Sequence, residues 1–178
     1  WLAKDWVRWE RLHQEGYDEH SDMASKFFNL SYAHVLKGGT HEHMRKPGKV
    51  INHGKNYGLG VRKTQMQIYL ETGTWYSEGD IKEMFAIWAK ENARTAKWQQ
   101  ETIETAKKQG YLSNPFGRRR WFQGRDFATK ALAFLPASTL ADAVLRMMIA
   151  LYPGMRECAE AISELPILVV GELPKEWD

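Results

Sequence analysis

The chain has 178 residues and a formal net charge of +3, with a single cysteine, Cys158. One cysteine excludes an intrachain disulfide and fits a reducing compartment, with the cytoplasm as the expected location. Neither a signal peptide nor an apolar run of about 18 residues stands out, so the expectation is a soluble protein without a membrane partner.

A length of 178 residues suffices to bury roughly 70% of the unfolded surface. Most of the eight Trp, seven Tyr and seven Phe are therefore read as core, where aromatic rings dominate burial. The small net charge carries no argument for nucleic acid by itself, but its distribution does. Seven Lys or Arg stand against Glu42 alone between Ala33 and Lys63, and seven against Asp126 alone between Lys107 and Lys130. Two basic surfaces are expected, with the acids concentrated in amphipathic helices.

In chain order, Leu2, Trp6, Trp9 and Leu12 or His13 recur at helical spacing up to Gly16. Met23, Phe27 and Leu30 mark a second helix, stopped by Lys37-Gly38-Gly39. His41-Glu42-His43 reads as extended, with its imidazoles on opposite sides and without zinc spacing, so no metal is expected there.

The segment Arg45-Lys-Pro-Gly-Lys-Val-Ile-Asn-His-Gly-Lys-Asn-Tyr-Gly58 is the most informative. At about 3.6 residues per turn, Arg45, Lys49, His53 and Tyr57 form one slowly winding stripe, with Val50 and Ile51 facing a core. Pro47 is tolerated in a first turn, which places the helix start at Lys46 or Pro47 and the cations beside free amides that attract anions. Gly58 and Gly60 release the chain. A solvated basic helix end with a core Tyr fits this segment equally well.

Further on, Ile81, Met84, Phe85 and Trp88 give an i, i+3, i+4, i+7 face, opened by a capping box of Ser77 and Asp80. Helical signal persists to Gln109 before Gly110, with a break expected near Asn92. Tyr111 to Ser113 and Arg118 to Phe122 flank Asn114-Pro115-Phe116-Gly117, which predicts a hairpin. On alternating faces of that hairpin, at least one of Arg118, Arg119 and Arg120 would reach outward, unless some pair with Glu101 or Glu104. Leu140, Val144, Met147, Met148 and Leu151 form another expected core face, opened near Pro136 to Ser138 and closed by Pro153-Gly154. A short helix through Met155 to Ser163 and a buried strand at Ile167 to Val170 complete the reading, with one compact unit over residues 1–178.

Several segments in order resemble the family A DNA polymerases, the bacterial polymerase I type. Arg45, Lys49, His53 and Tyr57-Gly58 resemble motif B, the fingers helix that grips the incoming nucleotide. Asp18-Glu19-His20-Ser21-Asp22-Met23-Ala24 resembles the Asp-x-His-Thr/Ser-x-x-Ala segment upstream of it. Gly110-Tyr111-Leu112 with Phe116-Gly117-Arg118-Arg119-Arg120 resembles Gly-Tyr-Val…Phe-Gly-Arg-Arg-Arg, and Phe134 to Asp142 is similar to the Pro-Val-Gln-Gly-Thr-Ala-Ala-Asp helix start.

The fold this resemblance implies is mainly α: a helical fingers subdomain with one short β-hairpin and a C-terminal palm strand. It implies triphosphate contacts from His20, Arg45 and Lys49, and Tyr57 beside the templating base. His53 stands where the family carries Phe or Tyr. Arg118, Arg119 and Arg120 would lie near the DNA backbone, and Ser138 near the place of a minor-groove Gln. The implied activity is template-directed transfer of a nucleotide from dNTP to a primer 3′-end, with primer-template DNA and dNTP as partners, Mg2+ as cofactor and a monomeric parent enzyme. The family's metal-binding aspartates, in motif A and in a His-Asp hairpin, have no counterpart here. No catalytic residue is therefore assigned to this chain, which reads as a piece of something longer that binds without catalysing. A stand-alone helical nucleic-acid-binding module and a Trp-rich interaction protein are the alternatives.

Overall fold

A computed structural model describes residues 2–124 and 127–152. The chain divides into two compact units, residues 1–136 and 137–178, and each is treated by itself. Most described residues are helical: α1 (Trp6–Leu12), α2 (Glu19–Phe27), α3 (Tyr32–Val35), α4 (Arg45–Asn56), α5 (Val61–Thr72), α6 (Glu78–Glu91), α7 (Ala93–Gln109) and α8 (Phe127–Leu151). The strands β1 (Tyr111–Ser113) and β2 (Arg119–Trp121) form an antiparallel hairpin, pairing Tyr111 with Trp121, Leu112 with Arg120 and Ser113 with Arg119. The mainly α fold with one short hairpin is the one the sequence leads to.

Within the first unit, Met23 and Phe27 of α2, Val50 and Ile51 of α4, Ile68 of α5, and Ile81, Met84 and Trp88 of α6 make one core. Burying these side chains is the main favourable term holding α4 in place. A second cluster joins Ala106 of α7, Leu112 and Phe122 of the hairpin, and Ala131 and Phe134 of α8.

Gly48 decides how α4 meets α2. A Cβ there would lie 2.5 Å from the Ala24 Cβ and 2.9 Å from the His20 carbonyl oxygen. Only a hydrogen fits, so the helices approach backbone to side chain, and His20 is drawn up against α4.

Several expectations need correction. His41 to His43 do not extend; Glu42–Met44 is a 3₁₀ turn running directly into α4, which therefore begins at Arg45. The second helix ends at Phe27, where Asn29 adopts a left-handed φ of 51°, and the separate α3 precedes Gly38. α8 begins well before Pro136 and contains it; the missing amide leaves only the Leu132 carbonyl without its helical donor, which the rest of a long helix tolerates.

The apolar stripes of α1 and of the C-terminal half of α8 are not core. Trp6, Trp9 and Leu12 are exposed, as are Leu140, Val144, Met147, Met148 and Leu151. Helical periodicity is present in both, but burial needs a facing partner, and no described residue supplies one. α8 is, by length and a mean hydropathy of 1.5, long and apolar enough to cross a membrane, contrary to the sequence reading. Asp142 and Arg146 stand within that stretch, an expensive pair to place in hydrocarbon. The expected helix at Met155 to Ser163 and strand at Ile167 to Val170 lie outside the described residues.

Candidate nucleotide-binding face

α4 presents two sharply different sides. Pro47, Gly48, Val50, Ile51, Asn52 and Gly54 are buried. Lys49 and His53 are exposed, Tyr57 is 40% exposed, and Arg45 is partly so. The four-residue spacing therefore yields one continuous outward stripe, cationic at its start and aromatic at its end. The His53 and Tyr57 rings meet edge to face, 5.2 Å between centroids.

Arg45 is oriented by Asp18. Its Nε donates to Asp18 Oδ2 at 2.7 Å, while Asp18 Oδ1 caps α2 by accepting from the amides of His20 and Ser21 at 2.9 and 3.2 Å. One carboxylate thus ties the start of α2 to the start of α4. Partial burial pushes its pKa up, but the Arg45 guanidinium and the two amides outweigh this and hold the carboxyl below its ordinary range. The terminal nitrogens of Arg45 make no further hydrogen bond among the described residues. They keep a planar fork for an anion.

The helix start contributes less to anion binding than the sequence suggests. The Arg45 amide donates to the Glu42 carbonyl within the preceding 3₁₀ turn, and Pro47 has no amide hydrogen. Attraction for phosphate falls mainly on the side chains. Lys49, with no ion pair among the described residues, supplies an uncompensated charge one turn from Arg45.

His20 enters the site through a buried relay that spacing alone does not reveal. The indole Nε1 of Trp88 can only donate, and it donates to Asn52 Oδ1 at 2.8 Å. This fixes the amide orientation of Asn52, which is fully buried. Its Nδ2 then donates to Glu19 Oε2 at 2.9 Å and faces His20 Nδ1 at 3.3 Å. A neutral imidazole accepting at Nδ1 carries its hydrogen on Nε2, where it is a donor. Burial lowers the His20 pKa, the Asp18 charge opposes that, and the cations Arg45 and Lys49 reinforce it; the net position is below 6.5. Burial thus favours the neutral form of His20.

The other end of α4 is clamped as well. Gln99 Nε2 of α7 donates to the carbonyls of Lys55 and Asn56 at 2.6 and 3.1 Å, taking up last-turn acceptors. Arg8 binds Glu19 at 2.6 Å and Asn56 at 3.1 Å, joining α1, α2 and α4. Lys55 lies 4.5 Å from the Phe85 ring centroid, and its pKa is lowered by burial. Tyr57, next in line, is thereby set at the end of a fixed helix. Asn52, Glu19 and Gln99 are the site-shaping residues the sequence reading omits. Their only signal is a polar side chain at a position that helical phasing assigns to the buried face.

Of the remaining expected residues, Arg119 and Arg120 lie in β2 and are exposed, with Arg118 just before it in the turn. Arg119 and Arg120 form no ion pair among the described residues. Ser138 lies on α8 in the second unit and is half-buried. No group of three His, Cys, Asp or Glu side chains able to hold a metal ion occurs among the described residues.

The model of DNA polymerase family A matches residues 8–166. This chain belongs to that family. Among family A relatives, the thermostable DNA polymerase I of Thermus aquaticus is 29% identical over 178 residues, covering 93% of this chain and 20% of the relative. The corresponding enzyme of Thermus thermophilus shows the same identity and coverage. The chain thus spans about a fifth of the curated family A polymerases it matches. The fold is also similar to the POL domain of Pol1 from M. smegmatis in complex with DNA primer-template and dNTP, with a TM-score of 0.54 at 22% identity, over 74% of this chain and 22% of that one.

Proposed function

We propose that this family A segment supplies the nucleotide- and template-gripping face for template-directed DNA synthesis. The observation that carries the reading is the exposed stripe Arg45, Lys49, His53 and Tyr57 on α4, with His20 held beside it by Asn52.

In this reading the triphosphate of a dNTP lies across the first turns of α4. Arg45, oriented through its Nε by Asp18, offers its free fork to phosphate oxygens, and Lys49 adds a point charge. His20 donates from Nε2. When the primer 3′-hydroxyl attacks the α-phosphorus, negative charge grows on the departing pyrophosphate. Positive groups already in place lower the barrier without reorganising. Tyr57 borders the base to be copied. His53 offers a smaller, titratable ring where the family carries Phe or Tyr, so sugar discrimination based on those rings does not extend to this chain.

Family A polymerases depend on divalent metal, but the described carboxylates do not form a site for Mg2+. In this reading, nucleotide and template are assigned to this chain. Arg118, Arg119 and Arg120 are assigned to the DNA backbone and Ser138 to the minor groove.

Single-nucleotide insertion in the complete protein tests the assignment. Lys49→Ala lowers kcat/KM for dNTP by at least tenfold, about 1.4 kcal/mol of transition-state stabilisation. An unchanged kcat/KM removes Lys49 from the triphosphate site. Duplex binding without any nucleotide binding would favour the stand-alone nucleic-acid module instead.

A further inference from the structure

The two faces of the hairpin are chemically distinct. Leu112 and Phe122 turn inward and are buried in the second core cluster. On the outward face, Trp121 stands directly opposite Tyr111, with ring centroids 4.9 Å apart. The Arg119 guanidinium carbon lies 5.3 Å from the Tyr111 ring centroid. A Cβ on Gly110 would sit 3.8 Å from Trp121 Cε3 and Cζ3, so the indole rests along the bare Gly110 backbone. Trp121 is nevertheless 63% exposed.

An indole braced by its neighbours yet open to solvent loses little conformational freedom on meeting a ligand. The surrounding charge narrows the choice of ligand. Between Lys107 and Lys130, seven Lys or Arg face one Asp, which favours an anionic partner. A partner that is polyanionic and also carries flat rings is a nucleic acid. Paired bases are already stacked on their neighbours, so a base with a free face belongs to a single strand.

We propose that Trp121, Tyr111 and Arg119 form a stacking platform for an unpaired base of single-stranded DNA, with Arg119 also meeting its phosphate. This rests on the DNA reading above but adds base contact to the backbone role of the arginines. It requires no nucleotide on α4.

The test compares an oligodeoxythymidine with an abasic oligomer of equal length and charge, both binding to the complete protein. The wild type prefers the base-bearing strand. Trp121→Leu weakens that strand at least about fivefold, leaves the abasic strand unchanged and keeps dNTP affinity. Trp121→Phe restores most of the preference, which guards against a misfolded variant. Lys49→Ala loses dNTP affinity but retains the preference, so failure at α4 and failure at the hairpin are distinguishable. Equal binding of both strands by the wild type, or wild-type discrimination by Trp121→Leu, overturns the proposal. So does equal loss of both strands in Trp121→Leu, which would reduce Trp121 to a packing role.

Discussion

Asn52 sits at the junction of three side chains with incompatible needs. Trp88 must donate, Glu19 must accept, and His20 can do either. A leucine in its place keeps the volume but leaves Trp88 Nε1 without its acceptor and removes the donor to Glu19 Oε2, while Arg8 still holds Glu19 Oε1. Asn52→Leu should therefore cost about 1–3 kcal/mol of stability, measured by denaturant unfolding. It should also release the His20 tautomer, read from imidazole nitrogen shifts; an unaltered tautomer would separate Asn52 from His20. Asp18 makes a different prediction. Its folded pKa lies below the ordinary 3.8, so its contribution is complete above that value and is lost as pH falls through the folded pKa. The unfolding midpoint of Asp18→Asn should fall less steeply with acid below pH 3.8 than that of the wild type. Parallel curves would show that the Arg45 pair contributes nothing to stability.

Elements whose outer face follows a strict chemical order were legible in sequence; elements that bury polar groups were not. α4 was readable because cations, rings and the Gly58 stop fall at four-residue steps. The Ser77–Asp80 capping box likewise announced α6, and both of its bonds form, at 2.8 and 3.1 Å. By contrast, α5 carries no such signal, because its buried face is Thr64, Gln65 and Ile68. α7 is legible in extent, with the break at Asn92 and the stop at Gly110 where the sequence puts them, but not in its buried face, which is Thr95, Gln99, Thr102 and Ala106. Conversely, α1 and α8 carry apolar stripes that no described residue covers; pattern specifies a face, but not what lies opposite. Close approach is also invisible in pattern. Gly48 reads as a poor helix former, yet it sets the α2–α4 contact. Gly48→Ala should lower stability by about 1–3 kcal/mol through overpacking on Ala24, despite the better helix propensity of Ala. Thermal unfolding checks this. A stabilised variant would mean the helices are free to separate.

At the scale of the molecule, this family A segment holds one helix at both ends and leaves its outer face open. Asp18 and Gly48 fix the start of α4 against α2; Gln99 and Arg8 fix its tail. α8 also reaches this tail within the first unit, where a Cβ on Gly58 would meet Leu132 Cδ1 at 2.8 Å. The sequence foretold the face but not this scaffolding, because the clamps join residues distant in the chain. The central claim is that phosphates lie at one end of this face and a base at the other. Photolabelling of the complete protein with a base-azido deoxynucleoside triphosphate, followed by peptide mapping, tests it directly. The label should fall on the peptide carrying His53 and Tyr57 and be lost in Lys49→Ala, while Lys82→Ala, an exposed lysine of α6, labels normally. Labelling that avoids this peptide, or persists undiminished in Lys49→Ala, would contradict the account.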